Sequence, residues 1–379
     1  MTTARQNWID TIRWQSDFYL RAAKRERTDP EFEWAWYSQW LLGGGEPLKL
    51  AVKRAISRLP LVHTRWHEKA SNAAQWMDQN AGLLWSTRSL LEDELSKVLY
   101  DAHLVLRICG YERFYYPRID FEDFVTVERE SAFEVSGLPS DYVGLPIKLF
   151  DVKLAAPWGH SLKVVSTHSQ IHLTNSYRQY FVTRSGLDSS PKQGDVVLDC
   201  GACIGDLSLV FAAIVGSQGE VHLFDPVPLH ARYCELQGKL NPGFANVLKM
   251  NVVAVGDVTR EVSGSRTDSA HVQPGGLAVD AFSMTTLDDY ASAKKLRKVD
   301  LIKMDIEGAE RGALQGAASV IREFRPKLTI SAYHRTDDLW VLADGIKSLN
   351  PGYKLYFGHH SPVAMESVYY AVQPGQPGP

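Results

Sequence analysis

The segment VVLDCGACIGDLSL, residues Val196–Leu209, decides the fold of this 379-residue chain. It opens with an apolar run that ends in Asp199, which is typical of a buried strand in a parallel sheet. Two glycines then stand four residues apart, and a segment with helical periodicity follows them. The turn and the start of this helix contain Gly201, Ala202, Gly205 and Asp206. A strand, a glycine turn and a helix N-terminus together predict a concave ligand site lined with backbone N–H groups.

The spacing of the turn indicates which ligand it binds. It reads D-x-G-x-x-x-G rather than the G-x-G-x-x-G of dinucleotide dehydrogenases, and this departure favours S-adenosylmethionine (SAM) over NAD. The next strand, EVHLFDP, ends at Asp225, 20 residues beyond Gly205. A carboxylate at that place accepts hydrogen bonds from ribose hydroxyls. A third strand, NVLKMNVVAV, runs from Asn246, and we expect Asn251 or a neighbouring residue to lie beside the adenine.

A second block, VDLIKMDIEGAE (Val299–Glu310), also reads as a buried strand that ends in an acid, Asp305. The strand KLTISAYH ends in His334, and YKLYFGHH ends in His359 and His360. Because ligands bind outside the carboxyl ends of strands in open α/β sheets, these side chains are predicted to converge on one edge. The candidate catalytic residues are Asp305, His334 and His360, with His359 as the alternative to His360. In the competing interpretation, Asp305 only caps the following helix.

Strands and helices alternate through this half of the chain, which predicts an α/β fold. Helices are expected from Pro226 and Pro228 through Leu240, over Ala309–Glu323 and from about Asp337. Residues 257–284 are rich in Ser, Gly and Thr and are expected to form an insertion or a hairpin. SVYYAV is expected to be the last strand.

The N-terminal third has a different organisation. Residues 1–121 are predicted to form a helical module, with helices at Trp8–Lys24, Phe32–Leu41, Leu48–Ser57, His67–Asn80 and Leu90–Val105. Residues 122–181 predict a small β-containing connector, because FEDFVTVERE alternates at period two and IKLFDV and SLKVVSTH are short strand patterns. The α/β domain then covers residues 182–372, and the tail 373–379 is expected to be disordered. Eight of the ten tryptophans precede residue 86, which favours a packed core, with a homodimer surface or a lid over an acceptor as alternatives.

Composition excludes several classes of protein. The formal net charge is −3, and residues 1–130 carry 18 Lys and Arg against 19 Asp and Glu, so nothing favours nucleic acid as a partner. No apolar run approaches the roughly 18 residues of a membrane span, and the start of the chain has no signal-peptide core, so we expect a soluble, cytoplasmic protein. Four cysteines are too few for a disulfide scaffold. Cys200 and Cys203 form a C-x-x-C that suits a redox pair, but the turn needs small residues there for packing.

Motif by motif, residues 178–372 resemble the FkbM-type SAM-dependent methyltransferases. The matching stretches are VVLDCGACIGDLSL, HLFDPVP, NVVAVGD, TTLDDYA, IKMDIEGAE, RPKLTISAYHRTDDLW, PGYKLYFGHHSP and ESVYYAV. The resemblance implies the class I methyltransferase (Rossmann-like) fold, a seven-stranded, mostly parallel sheet with a final antiparallel strand. It also implies SAM as the cofactor and methyl transfer to a hydroxyl of a saccharide or a secondary metabolite.

The resemblance also implies roles for individual residues. Asp199, Gly201 and Gly205 match the first SAM-binding motif, and Asp305 matches the acid beside the reacting centre. Asp225 matches the ribose-binding acid, although many relatives have Glu at this position. The first 177 residues lie outside the shared domain, so the resemblance implies little about them.

Methyl transfer to a hydroxyl benefits from a general base within hydrogen-bond reach of the acceptor. We predict that His334 is this base, acting as a neutral imidazole. A divalent metal held by Asp305 and Glu307 is the alternative route, and we expect that no metal is needed. The expected acceptor is a small molecule or a saccharide. A NAD-dependent oxidoreductase and a catalytically silent SAM-binding scaffold are the competing functional classes.

Overall fold

The computed structural model describes residues 3–21, 60–111, 113–114, 116, 124–142, 145–175, 178–184, 186–263, 281–361 and 363–374. The predicted helices Phe32–Leu41 and Leu48–Ser57 lie outside these residues, as do most of the predicted insertion and tail. The described helices are α1 (Thr3–Arg21), α2 (Pro60–Leu90), α3 (Glu94–Cys109), α4 (His168–Asn175), α5 (Asp206–Val215), α6 (Pro228–Leu240), α7 (Leu287–Lys294), α8 (Glu310–Gln315), α9 (Ala318–Phe324) and α10 (Asp338–Leu349). None of them combines the length and the hydropathy that a membrane span needs.

The described strands fall into one large sheet and several small ones. Before the large sheet come β1 (Val125–Ala132), β2 (Asp141–Tyr142), β3 (Leu145–Pro146), β4 (Lys148–Leu154), β5 (Ser161–Ser166), β6 (Thr183–Arg184) and β7 (Leu187–Asp188). The remaining strands are β8 (Val196–Cys200), β9 (Glu220–Phe224), β10 (Leu248–Asn251), β11 (Ala254–Val255), β12 (Arg260–Ser263), β13 (Ala281–Thr285), β14 (Leu301–Met304), β15 (Lys327–Ser331), β16 (Lys354–His359) and β17 (Ser367–Val372).

The central sheet has seven strands in the order β10-β9-β8-β14-β15-β17-β16. The first five are parallel, and β17 runs antiparallel to both of its neighbours. The prediction of a seven-stranded, mostly parallel sheet is therefore confirmed. The order of connection reverses between β8 and β14, and a reversal of this kind opens a crevice at the carboxyl ends of the two strands.

The predicted helix Ala309–Glu323 is in fact two helices, α8 and α9, which separate at Gly316. A Cβ added to Gly316 would lie 2.2 Å from a backbone oxygen of the loop after β11, so that loop packs directly against the break. The Asp288 carboxylate accepts hydrogen bonds from the first N–H groups of α9, including that of Ser319 at 2.9 Å. This cap from a distant part of the chain starts a new helix there.

The predicted third strand also divides into two parts. Its first part is β10 of the central sheet, whereas β11 pairs with β13 in a separate three-stranded sheet. The predicted insertion supplies the other strands of this small sheet, β12 and β13, and they pair antiparallel. The chain therefore leaves the central sheet after Asn251.

The connector is an antiparallel sheet in the order β1-β4-β5, followed by the unpredicted helix α4. The strand patterns predicted there are confirmed. Two amide side chains of α6 cover the free edge of β5. Gln237 bonds both backbone groups of Val165, at 3.0 and 2.6 Å, and Asn241 bonds both groups of Lys163, at 2.9 and 2.8 Å. An edge strand paired in this way is protected from other partners and is fixed to the α/β domain.

The N-terminal helices share a core with the central sheet. Tyr100 of α3 packs edge-on against Phe357 of β16, with ring centroids 5.3 Å apart. The Ser96 hydroxyl accepts the backbone N–H of Phe357 at 2.9 Å. Tyr100 and Phe357 belong to the same hydrophobic cluster as Ile302 of β14. The helices therefore cover the β16 edge of the sheet, which lies far from the switch point.

The boundaries of these helices differ from the prediction. α2 is one helix from Pro60 to Leu90, longer than the predicted His67–Asn80, and α3 begins at Glu94 rather than at Leu90. The reason for the later start is the side chain of Asp93, which accepts the backbone N–H of Ser96 at 2.8 Å and caps α3.

The glycine turn gives a direct test of the fold. Gly201 and Gly194 have φ of +83° and +82°, so alanine is strained at both positions. Only at Gly201 would the new Cβ also meet the backbone, 1.9 Å from the Asp305 carbonyl oxygen. We expect G194A to lower the free energy of unfolding by about 1 kcal/mol and G201A by about 3 kcal/mol, measured by urea titration. Equal losses would contradict the close approach of the two loops.

Two buried histidines where α3 packs against β16, His103 and His359, lead us to expect that the free energy of unfolding falls in acid. Burial, together with the neighbouring His360, lowers the pKa of His359 to about 3. Burial, followed by the effect of His359, lowers the pKa of His103 well below its usual value. Both rings stay neutral in the folded chain, whereas the unfolded chain takes up protons below about pH 6.5. Stability should therefore fall as the pH drops below that value.

We expect the wild-type protein to lose up to about 2 kcal/mol more than H103L between pH 7 and pH 5. Urea titrations at the two pH values measure this difference. H160L, which removes an exposed histidine, is the matched control and should behave as the wild type does. An H103L protein with the wild-type pH slope would show that the buried ring has no part in it.

Candidate active site

A cavity of about 480 Å³ opens at the carboxyl ends of the central strands, at the switch point. This volume is within the range of small-molecule sites. Four loops that follow β8, β9, β14 and β15 line it, together with the small sheet around β11–β13 and the connector. The connector contributes Tyr142, Thr167, Gln170, Gln179 and Tyr180. Among the described residues of 1–121 none lines the cavity, so the lid over an acceptor, one alternative for this module, stays a prediction.

The turn after β8 has the predicted glycine conformations, but three of its backbone N–H groups are bonded within the protein. Gly201 and Gly205 both have positive φ, +83° and +78°. The backbone N–H groups of Gly201 and Ala202 donate to the Phe224 carbonyl, at 2.9 and 3.1 Å, and that of Cys203 donates to Asp225. These three donors are therefore used inside the protein. The prediction that they face a ligand is wrong, because β9 lies close enough to take them.

The predicted cofactor residues separate into two groups. Gly201, Ala202, Asp206, Asp225 and Asp305 line the cavity. Gly205 instead packs against Cys234, whose sulfur would lie 2.8 Å from an added Cβ. Asp199 is fully buried below the turn, where its carboxylate lies 3.1 Å from Lys303 Nζ. Asn251 is not part of the lining, since its amide bonds the backbone of β9 and β10 and its oxygen accepts from Tyr290.

Asp225 is held rigidly at the end of β9. Its Oδ1 accepts the backbone N–H of Val227 at 2.9 Å and lies 2.8 Å from His230 Nδ1. Its Oδ2 accepts the backbone N–H of Cys203 at 3.0 Å. The side chain is 8% exposed and borders the cavity. This carboxylate is fixed in place before any ligand arrives.

Asp305 is the centre of a charged cluster at the other end of the cavity. Its Oδ1 accepts from the Tyr333 hydroxyl at 2.9 Å and its Oδ2 from the Tyr180 hydroxyl at 3.1 Å. Burial opposes ionisation of this carboxyl, but the positive charges of Lys303 and His334 outweigh it, so the pKa of Asp305 is lowered. Asp305 therefore carries a permanent negative charge in the cavity wall.

His334 lies among three carboxylates. Its Nδ1 lies 2.9 Å from Glu310, and its Nε2 lies 3.5 Å from both Asp305 and Glu307. Burial lowers the pKa of His334, but the bond and charge of Glu310, and then Asp305 and Glu307, raise it to about 10. The ring is thus an imidazolium at neutral pH, and an imidazolium has no lone pair for a proton. The prediction of a neutral imidazole at this position is not met.

Two further carboxyls line this end of the cavity, Glu307 and Glu366. Both have left-handed backbones, with φ of +56° and +66°, which is unusual away from glycine and common at functional sites. Burial first, and then Asp305, raises the pKa of Glu366 to about 7, and its Oε2 accepts from Gln179 Nε2 at 2.7 Å. Burial also raises the pKa of Glu307 to about 7, although 45% of this side chain is exposed.

The other two candidate histidines lie away from the cavity. His360 Nε2 lies 2.6 Å from the Tyr370 hydroxyl, and His359 Nδ1 lies 2.8 Å from the Ser367 hydroxyl, both in the core. Neither lines the cavity. The prediction that His360 is catalytic, with His359 as its alternative, is therefore not supported by the position of either ring. The ring of His359 faces α3, where it lies 4.8 Å from the ring of His103.

The structure brings together three residues that could form the alternative metal site. Asp305, Glu310 and His334 place one ligand atom each within 4.8 Å of one another, whereas the sequence suggested Asp305 with Glu307. His334 would have to lose its proton to bind a metal there.

The C-x-x-C that suited a redox pair consists of free thiols. Burial raises the pKa of both Cys200 and Cys203, so they stay protonated and unreactive.

Comparison with known proteins agrees with this geometry. Residues 199–355 match the family model of the Methyltransferase FkbM domain. The structure of the FkbM methyltransferase from Methylobacillus flagellatus KT is similar, with a TM-score of 0.51 and 23% sequence identity. The similarity covers 78% of this chain and 59% of that chain, so this chain spans less than two thirds of its relative. No curated protein matches the sequence significantly.

More distant similarities involve one further protein with bound SAM and one O-methyltransferase. One is Aeropyrum pernix fibrillarin in complex with natively bound SAM, at 10% identity and a TM-score of 0.35, covering 65% of this chain and 99% of that one. Another is a SAM-dependent O-methyltransferase from Thermotoga maritima, at 14% identity and a TM-score of 0.29, covering 49% and 62%. Residues 199–355, which match the Methyltransferase FkbM domain, include most of the residues that line the cavity.

Proposed function

We propose that this protein transfers a methyl group from SAM to a hydroxyl of a small-molecule acceptor, such as a saccharide or a secondary metabolite. The observation that carries the proposal is a single cavity with two different ends. One end has the rigid carboxylate Asp225, and the other has the cluster of Asp305, His334, Glu307 and Glu366. A family of methyltransferases and a cavity of this kind together support the reaction class.

The residues at the first end fit a nucleoside. Asp225 is buried, ionisable and already oriented by three hydrogen bonds, as a group that accepts a ribose hydroxyl needs to be. Gly201 and Ala202 leave this part of the wall without bulky side chains.

The negative charge at the second end of the cavity suits a cation. Asp305 stays ionised beside the cavity, so it complements the positive sulfonium of SAM.

The acceptor end fits a molecule with several hydroxyls. The connector places Gln179 beside Glu366 and Tyr180 beside Asp305, and amide and phenol side chains both donate and accept hydrogen bonds. Glu366 approaches from the loop before β17. A wall of amides, phenols and carboxylates binds a polar, polyhydroxylated acceptor better than an apolar one.

SAM supplies an activated methyl group when bound, and the protein aligns the acceptor oxygen for in-line attack. We assign Glu366 as the group that takes the hydroxyl proton. It is partly ionised near neutral pH and bonds only one amide donor among the described residues, that of Gln179. Glu307 is open to water and lies next to the His334 imidazolium, so it is less suited to this task. The positive charge of His334 offsets the negative charges of its three carboxylate neighbours, so we assign it as a positioning residue.

The first prediction concerns the cofactor end. D225A should weaken SAM binding by about 1.5–3 kcal/mol, as expected for the loss of a hydrogen bond to a charged group. Isothermal titration calorimetry with SAM measures this, and D344N, at an exposed acid of α10, is the control. Unchanged SAM affinity in a folded D225A protein would contradict the assignment. Tight binding of NAD by the wild type would favour the oxidoreductase instead.

The second prediction concerns the acceptor end. Turnover should rise as the pH passes about 7, because Glu366 must lose its proton before it can accept another. E366Q should lower turnover by about 10²–10⁴-fold, while SAM affinity stays nearly constant. Transfer of radiolabelled methyl groups from SAM to a panel of methyl glycosides gives the rates.

E128Q, an exposed glutamate of β1, is the matched control. An E366Q enzyme with normal turnover and the wild-type pH profile would exclude Glu366 as the base. A large loss with H334N but not with E366Q would return the role to His334.

A further inference from the structure

Arg335 is a cation of the cavity wall that has no role in the assignments made so far. It follows His334 in the loop after β15 and lines the cavity. Its backbone N–H donates to the Asp338 carboxylate at 2.7 Å, which fixes the loop to the start of α10. The residue is exposed, so it lies where the cavity is open to solvent and an acceptor can enter.

The guanidinium of Arg335 is anchored through one donor and leaves the others free. Its Nε donates to the Gly308 carbonyl at 2.8 Å. A Cβ added to Gly308 would lie 3.3 Å from this Nε and 3.6 Å from Arg335 Cγ, so the side chain lies directly against the glycine. In the part of the chain that the structure describes, neither Nη atom has a hydrogen-bond partner. The two Nη atoms form a planar fork that matches the two oxygens of a carboxylate.

This cation stays unpaired although the wall around it is rich in carboxylates. The preceding residue, His334, lies within 3.5 Å of three of them. Among the described residues, Arg335 forms an ion pair with none of these and with no other acid. An anionic group that enters this end of the cavity is repelled by Glu307 and Glu366. It therefore needs a cation that the protein has not already neutralised, and Arg335 is such a cation.

The order of the strands indicates which ligand reaches this arginine. Neighbouring strands run in the order β9-β8-β14-β15, and Asp225, Asp305 and Arg335 follow β9, β14 and β15. We place the nucleoside of SAM at Asp225 and its sulfonium at Asp305. Because neighbouring strands are about 4.8 Å apart, a group beside Arg335 lies beyond the sulfonium, on the side of the acceptor.

We propose that Arg335 binds a carboxylate on the acceptor, so that the preferred acceptor is a sugar acid rather than a neutral sugar. The proposal rests on the proposed function, because it takes SAM and a saccharide as the two ligands. It adds the charge of the acceptor to that function. A carboxylate held at Arg335 also limits which hydroxyl of the sugar is presented to Glu366.

The test compares methyl glycosides that differ only at C6, where one has a carboxylate and the other a hydroxymethyl group. The pairs are methyl glucuronide with methyl glucoside, and methyl galacturonide with methyl galactoside. Ligand-observed NMR titration measures their dissociation constants from the protein saturated with S-adenosylhomocysteine, so the measurement does not depend on turnover. Calorimetry measures the affinity of each variant for S-adenosylhomocysteine itself.

The main variant is R335M, which keeps the length of the side chain and removes its charge and donors. R335K keeps the charge without the fork. R322M is the matched control, because Arg322 of α9 is likewise exposed and without an ion pair among the described residues, but it lies outside the cavity wall. R311M tests the exposed arginine of α8, which also lines the cavity.

The wild type should bind the acid of at least one pair about tenfold more tightly than the neutral sugar, as expected for a hydrogen-bonded charge pair open to solvent. R335M should lose this preference and keep its affinity for S-adenosylhomocysteine. R335K should retain part of the preference. R322M and R311M should behave as the wild type does.

Four results would overturn the proposal. A wild type without preference for the acid in either pair, including one that binds neither sugar, excludes a carboxylate site. An R335M protein that keeps the preference, or an R311M protein that alone loses it, excludes Arg335 as the residue responsible. An R335M protein that binds S-adenosylhomocysteine about tenfold more weakly assigns Arg335 to the carboxylate of the cofactor instead. Failure of the wild type to bind both SAM and S-adenosylhomocysteine would count against the proposed function itself.

Discussion

A buried ion pair between Asp199 and Lys303 joins the two strands at the switch point, and the site above depends on it. Lys303 Nζ lies 3.1 Å from Asp199 Oδ1 and donates to the Gly201 carbonyl at 2.8 Å. The two side chains are 0% and 4% exposed. Two charges are costly to bury, and they are tolerated here because each has its partner. The same ammonium lowers the pKa of Asp305, so one cation links strand pairing, turn geometry and the charge of the cavity wall.

Much of the fold follows from local pattern. β8, β9 and β14 are apolar runs with an acid at or just after the end, which is a pattern typical of buried parallel strands. What the pattern missed depends on single side chains that cap helices, one of them from a distant part of the chain. The break between α8 and α9 comes from Asp288, and the later start of α3 comes from the cap at Asp93. The first of these signals lies some thirty residues away, so periodicity within the helix does not report it.

Some residues of the candidate site could likewise be predicted from the sequence, and others could not. Asp225 and Asp305 were predictable because each ends a strand at the edge where ligands bind. The protonation state of His334 was not, since it depends on Glu310 and Glu307 folding back around the ring. Glu366 had no signal of its own, because its assigned role depends on side chains that only the fold brings next to it. Gln179 of the connector is one of these side chains, and it lies 187 residues before Glu366 in the sequence.

The way the glycine turn uses its own donors has a consequence for ligand selection. Dinucleotide and nucleotide triphosphate sites hold phosphate groups with free backbone N–H groups. Here the N–H groups of Gly201, Ala202 and Cys203 are already consumed by the end of β9, and Asp206 stands close by. A polyphosphate would meet carboxylate charge and no donor from these residues. These three N–H groups are thus not available to a phosphate, which is the contact on which dinucleotide sites depend.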